Sequence, residues 1–127
     1  TGYLDGSIIL WNYSDRTEIQ NIGVLDSSVV SVTFSTNQRN LAALSEGTHI
    51  RLWAANFADD PTIYTSQLSN AITSVVLSND GSIMLTALAN GKVTKWFTTD
   101  MAKVELGAHS DAVNVVRISA DNNWAIS

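Results

Sequence analysis

The chain contains no cysteine. That excludes a disulfide scaffold and any thiolate metal site within it. Proline occurs once, as Pro61 in the polar stretch Ala58-Asp59-Asp60-Pro61, where it would interrupt no strand ladder. Charge is sparse: 15% of the 127 residues are charged, below the usual quarter or so. The balance is acidic, with 7 Lys+Arg against 12 Asp+Glu and a formal net charge of −5. A nucleic-acid binder would carry a basic stripe, and an anionic membrane would repel this surface. No apolar run approaches the roughly 18 residues of a membrane span. The first residues, Thr1-Gly2-Tyr3-Leu4-Asp5, lack the basic and apolar regions of a signal peptide, and there is no initiator Met. The chain therefore reads as a piece of something longer, or as a processed or engineered one. No metal-spaced His pair and no phosphate-cradling Gly loop occurs, so neither metal nor cofactor is expected.

What is present is a repeat. Three segments align: Asp5-Gly6-Ser7-Ile8-Ile9-Leu10-Trp11, Glu46-Gly47-Thr48-His49-Ile50-Arg51-Leu52-Trp53 and Asn90-Gly91-Lys92-Val93-Thr94-Lys95-Trp96. Their tryptophans are 42 and 43 residues apart. Each segment is a turn-former and a glycine feeding an alternating strand. A second set keeps the same period: Val29-Val30-Ser31-Val32-Thr33-Phe34-Ser35, Ile72-Thr73-Ser74-Val75-Val76-Leu77-Ser78 and Val113-Asn114-Val115-Val116-Arg117-Ile118-Ser119. These β-branched, mostly apolar runs predict strands buried on both faces. Turn residues follow each, and then the strands Leu41-Ala42-Ala43-Leu44, Ile83-Met84-Leu85-Thr86 and Trp124-Ala125-Ile126-Ser127. Stretches 18–25, 62–68 and 102–106 supply a fourth strand to each period. Four short strands in about 40–45 residues, with no sustained helical periodicity, predict an all-β protein of tandem four-stranded antiparallel repeats.

This pattern resembles the WD-repeat family of β-propellers over essentially the whole chain. The naming dipeptide is absent, since Trp11, Trp53 and Trp96 are followed by Asn12, Ala54 and Phe97. The resemblance implies a buried hydrogen-bond chain in each blade, running from Asp through His and Ser or Thr to Trp. It is matched at all four positions only where the two ends of the sequence are read together, by His109, Thr1, Asp5 and Trp11. Thr86, Trp53 and Trp96 complete the structural set. Residues 1–127 are thus expected to form one propeller segment of three repeats, with one blade split between the termini. The three tryptophans would each bury roughly 150–250 Å² between blades, and Trp124 is expected to be buried there too. A Thr–His–Asp set superficially resembles a nucleophile triad. Its hydroxyl would be capped by the indole, so its role is read as structural and the chain as no enzyme. His49 is read as an exposed or blade-facing side chain, and Asp59-Asp60 as a solvated loop.

The resemblance also implies that the loops entering each first strand share a face with the second hairpin turns, and that this face binds partners. The candidates are Tyr3, Leu4, Asp26, Ser28, Glu46, Ser69, Asn70, Ser110 and Asp111. The leading expectation is a non-catalytic protein–protein interaction scaffold, by family habit cytoplasmic, with a nuclear location second. One alternative is a ligand-binding or enzymatic propeller with a site at the central channel, near Ser31, Ser74 and Asn114. Another is a structural repeat inside a large assembly. Propellers close at about four to eight blades. Three would leave an open wedge, to be closed by the remainder of a longer propeller or by a homo-oligomer.

Overall fold

The computed structural model describes residues 1–46, 49–53, 62–65 and 70–127. The first sheet pairs β1 (Ser7–Trp11) with β2 (Glu18–Val24). The second is a meander of β3 (Val29–Phe34), β4 (Leu41–Ser45), β5 (His49–Trp53) and β6 (Thr62–Thr65). The third repeats it with β7 (Ile72–Leu77), β8 (Ile83–Leu88), β9 (Lys92–Phe97) and β10 (Lys103–Ala108). The last pairs β11 (Arg117–Ile118) with β12 (Ala125–Ile126). All pairings are antiparallel, and the described residues contain no helix.

Turn chemistry recurs from sheet to sheet. After β3, after β7 and after β11 comes a serine (Ser35, Ser78 or Ser119) whose N–H donates to a carbonyl five residues on, at 2.8–2.9 Å. Its hydroxyl donates to the side chain two residues on, Asn37, Asp80 or Asp121. The residue at the same place in all three turns is left-handed: Gln38 (φ 60°), Gly81 (φ 76°) and Asn122 (φ 61°). Glycine adopts that conformation freely and Asn tolerates it, whereas Gln is an uncommon occupant. The turns also lean on one another, since Asn37 N–H donates to the Asn79 carbonyl at 3.0 Å and Asn79 N–H to Asn122 Oδ1 at 2.9 Å.

The sheets stack face to face, and period-2 alternation sends successive side chains to opposite neighbours. On β4, Leu41 and Ala43 join Trp53 in a cluster with Ile8, Ile22 and Leu25 of the first sheet and its exit. Ala42 and Leu44 join Ile50 and Leu52 against Ile72, Val75, Leu77, Met84 and Trp96 of the third sheet. Every residue of β4 is therefore buried. Leu85, Ala87 and Val93 face the other way, onto Val113 and Val116. β7 lies against β3 on one side and β11 on the other, so first strands crowd together. β10 is exposed along its whole length.

Two expectations change. The strand foreseen over residues 113–119 is reduced to Arg117–Ile118, and its partner to Ala125–Ile126. A two-stranded hairpin flanked by no third strand is marginal, so the ladder stays short although Val113 and Val116 are buried. The tryptophans also divide. Trp53 and Trp96 are 2% and 5% exposed, but Trp11 is 41% exposed and Trp124 75%. Trp53 and Trp96 each face the sheet before their own. Among the described residues no sheet precedes that of Trp11, while Trp124 takes the place of Ile83, whose side chain packs toward the following sheet. The loop holding Pro61, Asp59 and Asp60 lies outside the described residues.

Candidate functional site

The residues of the expected hydrogen-bond set lie in separate sheets. In the third sheet, Trp96 Nε1 donates to Thr86 Oγ1 at 3.0 Å, and the Thr86 hydroxyl reaches the Thr94 carbonyl at 3.5 Å. Thr86 is fully buried, so this pairing satisfies groups that would be costly to leave unmet. In the last hairpin, His109 Nε2 and the Ser127 hydroxyl are 2.7 Å apart. Inside one chain His109 therefore meets Ser127 and not Thr1. The reason is register: Ser127 follows Ser119 by the same eight residues that separate Thr86 from Ser78. Thr1 holds the corresponding place in the first sheet, where its amino group donates to the Ile9 carbonyl at 2.8 Å and its carbonyl accepts from Ile9 N–H at 2.9 Å. Asp5 does not turn toward a histidine. Its carboxylate accepts from the Ser7 N–H at 2.9 Å and the Ser7 hydroxyl at 2.6 Å, a closed turn. The Ser7 hydroxyl, then its N–H, hold the Asp5 carboxyl below its ordinary pKa.

The second sheet replaces this polar set by an apolar one. Ala43 occupies the position of Thr86, ten residues before its tryptophan. Leu25, whose N–H donates to the Gly6 carbonyl at 2.8 Å, sits where His109 donates to Gly91 at 3.0 Å. Leu25, Ala43 and Trp53 lie in one cluster. Changing histidine and hydroxyl together avoids a half-satisfied network, which is worse than none. Counting from the turn glycines misses Leu25 by one residue, since His109 follows Gly91 by 18 and Leu25 follows Gly6 by 19.

The face carrying the candidate partner residues is built from hairpin turns bonded to the loops that enter their own sheet or the next. Val29 N–H donates to the Tyr3 carbonyl at 3.0 Å, and Val113 N–H to Leu88 at 3.3 Å. Glu46 N–H donates to Ser28 at 3.0 Å, and the Ser27 hydroxyl returns to the Glu46 carbonyl at 3.1 Å. Ala89 N–H donates to Ala71 at 2.9 Å. On this frame Leu4 is 86% exposed and Tyr3 is exposed beside it. Glu46, Ser110 and Asp111 are exposed, while Ser28 and Asn70 are half-buried. Ser69 lies outside the described residues. The turn glycines admit no side chain. Gly6 and Gly91 have φ of 86° and 88°, and a Cβ would strike the carbonyl oxygens of Leu25 and His109.

Asp26 is not a free acidic group. Both its oxygens accept from Arg51 Nη2 at 3.1 Å, while Arg51 Nη1 donates to the Val24 carbonyl at 2.8 Å. Sequence reading missed Arg51, because nothing in the order of residues joins positions 26 and 51. Of the residues expected near a channel, Ser31 is half-buried and Asn114 exposed. The Ser74 hydroxyl accepts from Val116 N–H at 3.3 Å, coupling the third sheet to the last hairpin. His49 is exposed at the start of β5. Among the described residues no group of three His, Asp or Glu could hold a metal.

No protein-family model matches the chain. Over 108 residues, 80% of its length, it is 27% identical to Protein LST8 homolog of Drosophila melanogaster. It spans 34% of that relative, about a third of its length. LST8 is a WD-repeat protein, and the all-β stack of antiparallel sheets agrees with a WD-like fragment.

Proposed function

We propose that the chain is a non-catalytic protein-interaction scaffold made of WD-type propeller blades, three repeats long, with one blade split between its ends. The observation that carries this reading is the turn-and-loop face. Leu4 and Tyr3 stand exposed on backbone held by bonds to the following sheet. Exposed aromatic and aliphatic side chains on a rigid base are what protein hot spots are built from, because little ordering entropy is lost on contact. The likeness to a WD-repeat protein supports the same reading. The Thr86 and Ser74 hydroxyls are engaged in the frame, by Trp96 and Val116.

The test is affinity capture from an extract of the source cells, comparing the wild type with Leu4→Asp and Tyr3→Ala. Capture of a defined protein that both variants lose, at unchanged circular dichroism, is the expected result. A captured protein indifferent to both substitutions would refute this face as the site. Glu105→Gln on the exposed strand β10 serves as the control that changes neither.

A further inference from the structure

Of the 7 Lys and Arg side chains, five are engaged. Arg51 and Lys92 are ion-paired with Asp26 and Glu105. Lys95 and Lys103 lie over the rings of Phe97 and Trp96, and Arg117 donates to the Val116 carbonyl. Arg16 and Arg39 are exposed, and neither guanidinium has a partner among the described residues. Both sit in hairpin turns at the end of the sheets opposite Tyr3 and Leu4, one after β1 and the other before β4. Leu10 of β1 and Leu41 of β4 pack in one cluster, so the two turns open on the same side of neighbouring sheets.

The complete third sheet has Met101 at the place of Arg16, counted from the tryptophan, and Ser82 at the place of Arg39, counted from the turn serine. The fold therefore requires neither arginine. Met101 is 44% exposed although its sheet has all four strands, so exposure belongs to the position and not to what flanks the first sheet. Arg16 is left-handed (φ 61°), a conformation that disfavours a side chain. Its turn is fixed nonetheless. The Asn12 amide donates to Asp15 at 3.0 Å, and Asp15 accepts from the Thr17 N–H at 3.0 Å and the Thr17 hydroxyl at 2.6 Å. Those bonds occupy the one carboxylate of the two turns. The second turn has Asn37 where the third and last sheets have Asp80 and Asp121, and Asp80 is itself held by Ser78 and Ser82. The Asn37 N–H, bonded to the Asn79 carbonyl, braces the second turn against the third.

We infer that this end of the sheets is a second docking surface, and that its partner is a protein segment rich in Asp and Glu. A guanidinium presents paired N–H donors that match a carboxylate in bidentate fashion. Two such forks on turns fixed by their own hydrogen bonds take up carboxylates with little ordering cost. A nucleic acid needs a basic stripe to meet one phosphate after another, and two arginines do not make one. The chain's net charge of −5 opposes the approach of an acidic segment at long range, and salt at physiological strength screens that field beyond about 8 Å.

Fluorescence anisotropy with a labelled poly-glutamate peptide at physiological salt tests this, and saturable binding is expected. Arg16→Met and Arg39→Ser install the residues that the third sheet uses at these places, so the circular dichroism should stay unchanged. Each should weaken binding roughly fivefold, and the two together on the order of twentyfold. Absence of saturable binding overturns the inference, as does binding that survives the double variant. A poly-lysine peptide bound as tightly also overturns it, because the surface would then not select by charge. Loss of the peptide through Leu4→Asp would move its site to the opposite face, with the same consequence. Partner capture through Leu4 and Tyr3 does not depend on Arg16 or Arg39, so the two surfaces stand or fall separately.

Discussion

Truncating equivalent tryptophans to alanine should cost different amounts, and the difference follows from which sheet precedes each one. Trp96 is 5% exposed, packs against the second sheet and has its N–H bonded to Thr86. Removing it leaves an enclosed cavity, and Phe/Trp→Ala changes of that kind cost about 3–5 kcal/mol. Trp11 has the same place in its repeat but is 41% exposed. If three-fifths of roughly 200 Å² is buried, area transfer at about 25 cal/mol/Å² gives at most about 3 kcal/mol. That figure is an upper bound, because the unfolded chain already buries part of the area. The space vacated opens to solvent, so no enclosed cavity adds to it. About 1–2 kcal/mol is expected in the single chain. The assay is urea unfolding followed by circular dichroism. Equal costs for Trp11→Ala and Trp96→Ala under those conditions would refute the idea that the neighbouring sheet, and not the local strand, sets the burial.

Gly91→Ala should destabilise by more than about 1 kcal/mol, since φ is 88° and the new Cβ meets the His109 carbonyl, and the same change at Gly6 should act alike; urea midpoints measure both. The Asp80 carboxyl is held below its ordinary pKa first by the Ser78 hydroxyl, then by the Ser82 N–H and hydroxyl. A carboxyl whose folded pKa is depressed contributes stability above its unfolded pKa, near 3.9, and loses it as pH falls through the lower folded value. NMR titration should therefore place Asp80 below about 3.9, and Ser78→Ala should move it back upward. Arg51→Lys should not replace the wild type, because a single ammonium cannot serve the Val24 carbonyl and the Asp26 carboxylate together. The expected loss is within about 1 kcal/mol, because the pair lies at the surface. A larger shift in the urea midpoint would show that the bond to Val24 matters more than the ion pair.

The repeat and its strands are legible in the order of residues. Trp11, Trp53 and Trp96 mark one strand, the runs at 29–35 and 72–78 another, and glycine or Asn-Asp pairs mark the turns between them. Those signals are local, because a strand's alternation and a turn's φ belong to a few consecutive residues. Burial is not local. Trp53 and Trp11 end strands of the same pattern, yet one is 2% and the other 41% exposed, because among the described residues Trp53 has a sheet in front of it and Trp11 does not. The choice of Ser127 over Thr1 by His109, the substitution of Leu25 and Ala43 for a histidine and a hydroxyl, and the Arg51–Asp26 pair likewise bring together residues 18 to 27 positions apart. Periodicity says that such positions are equivalent. Only the stacking of sheets says which neighbour each one finds, and so whether it is paired, buried or left open to a partner.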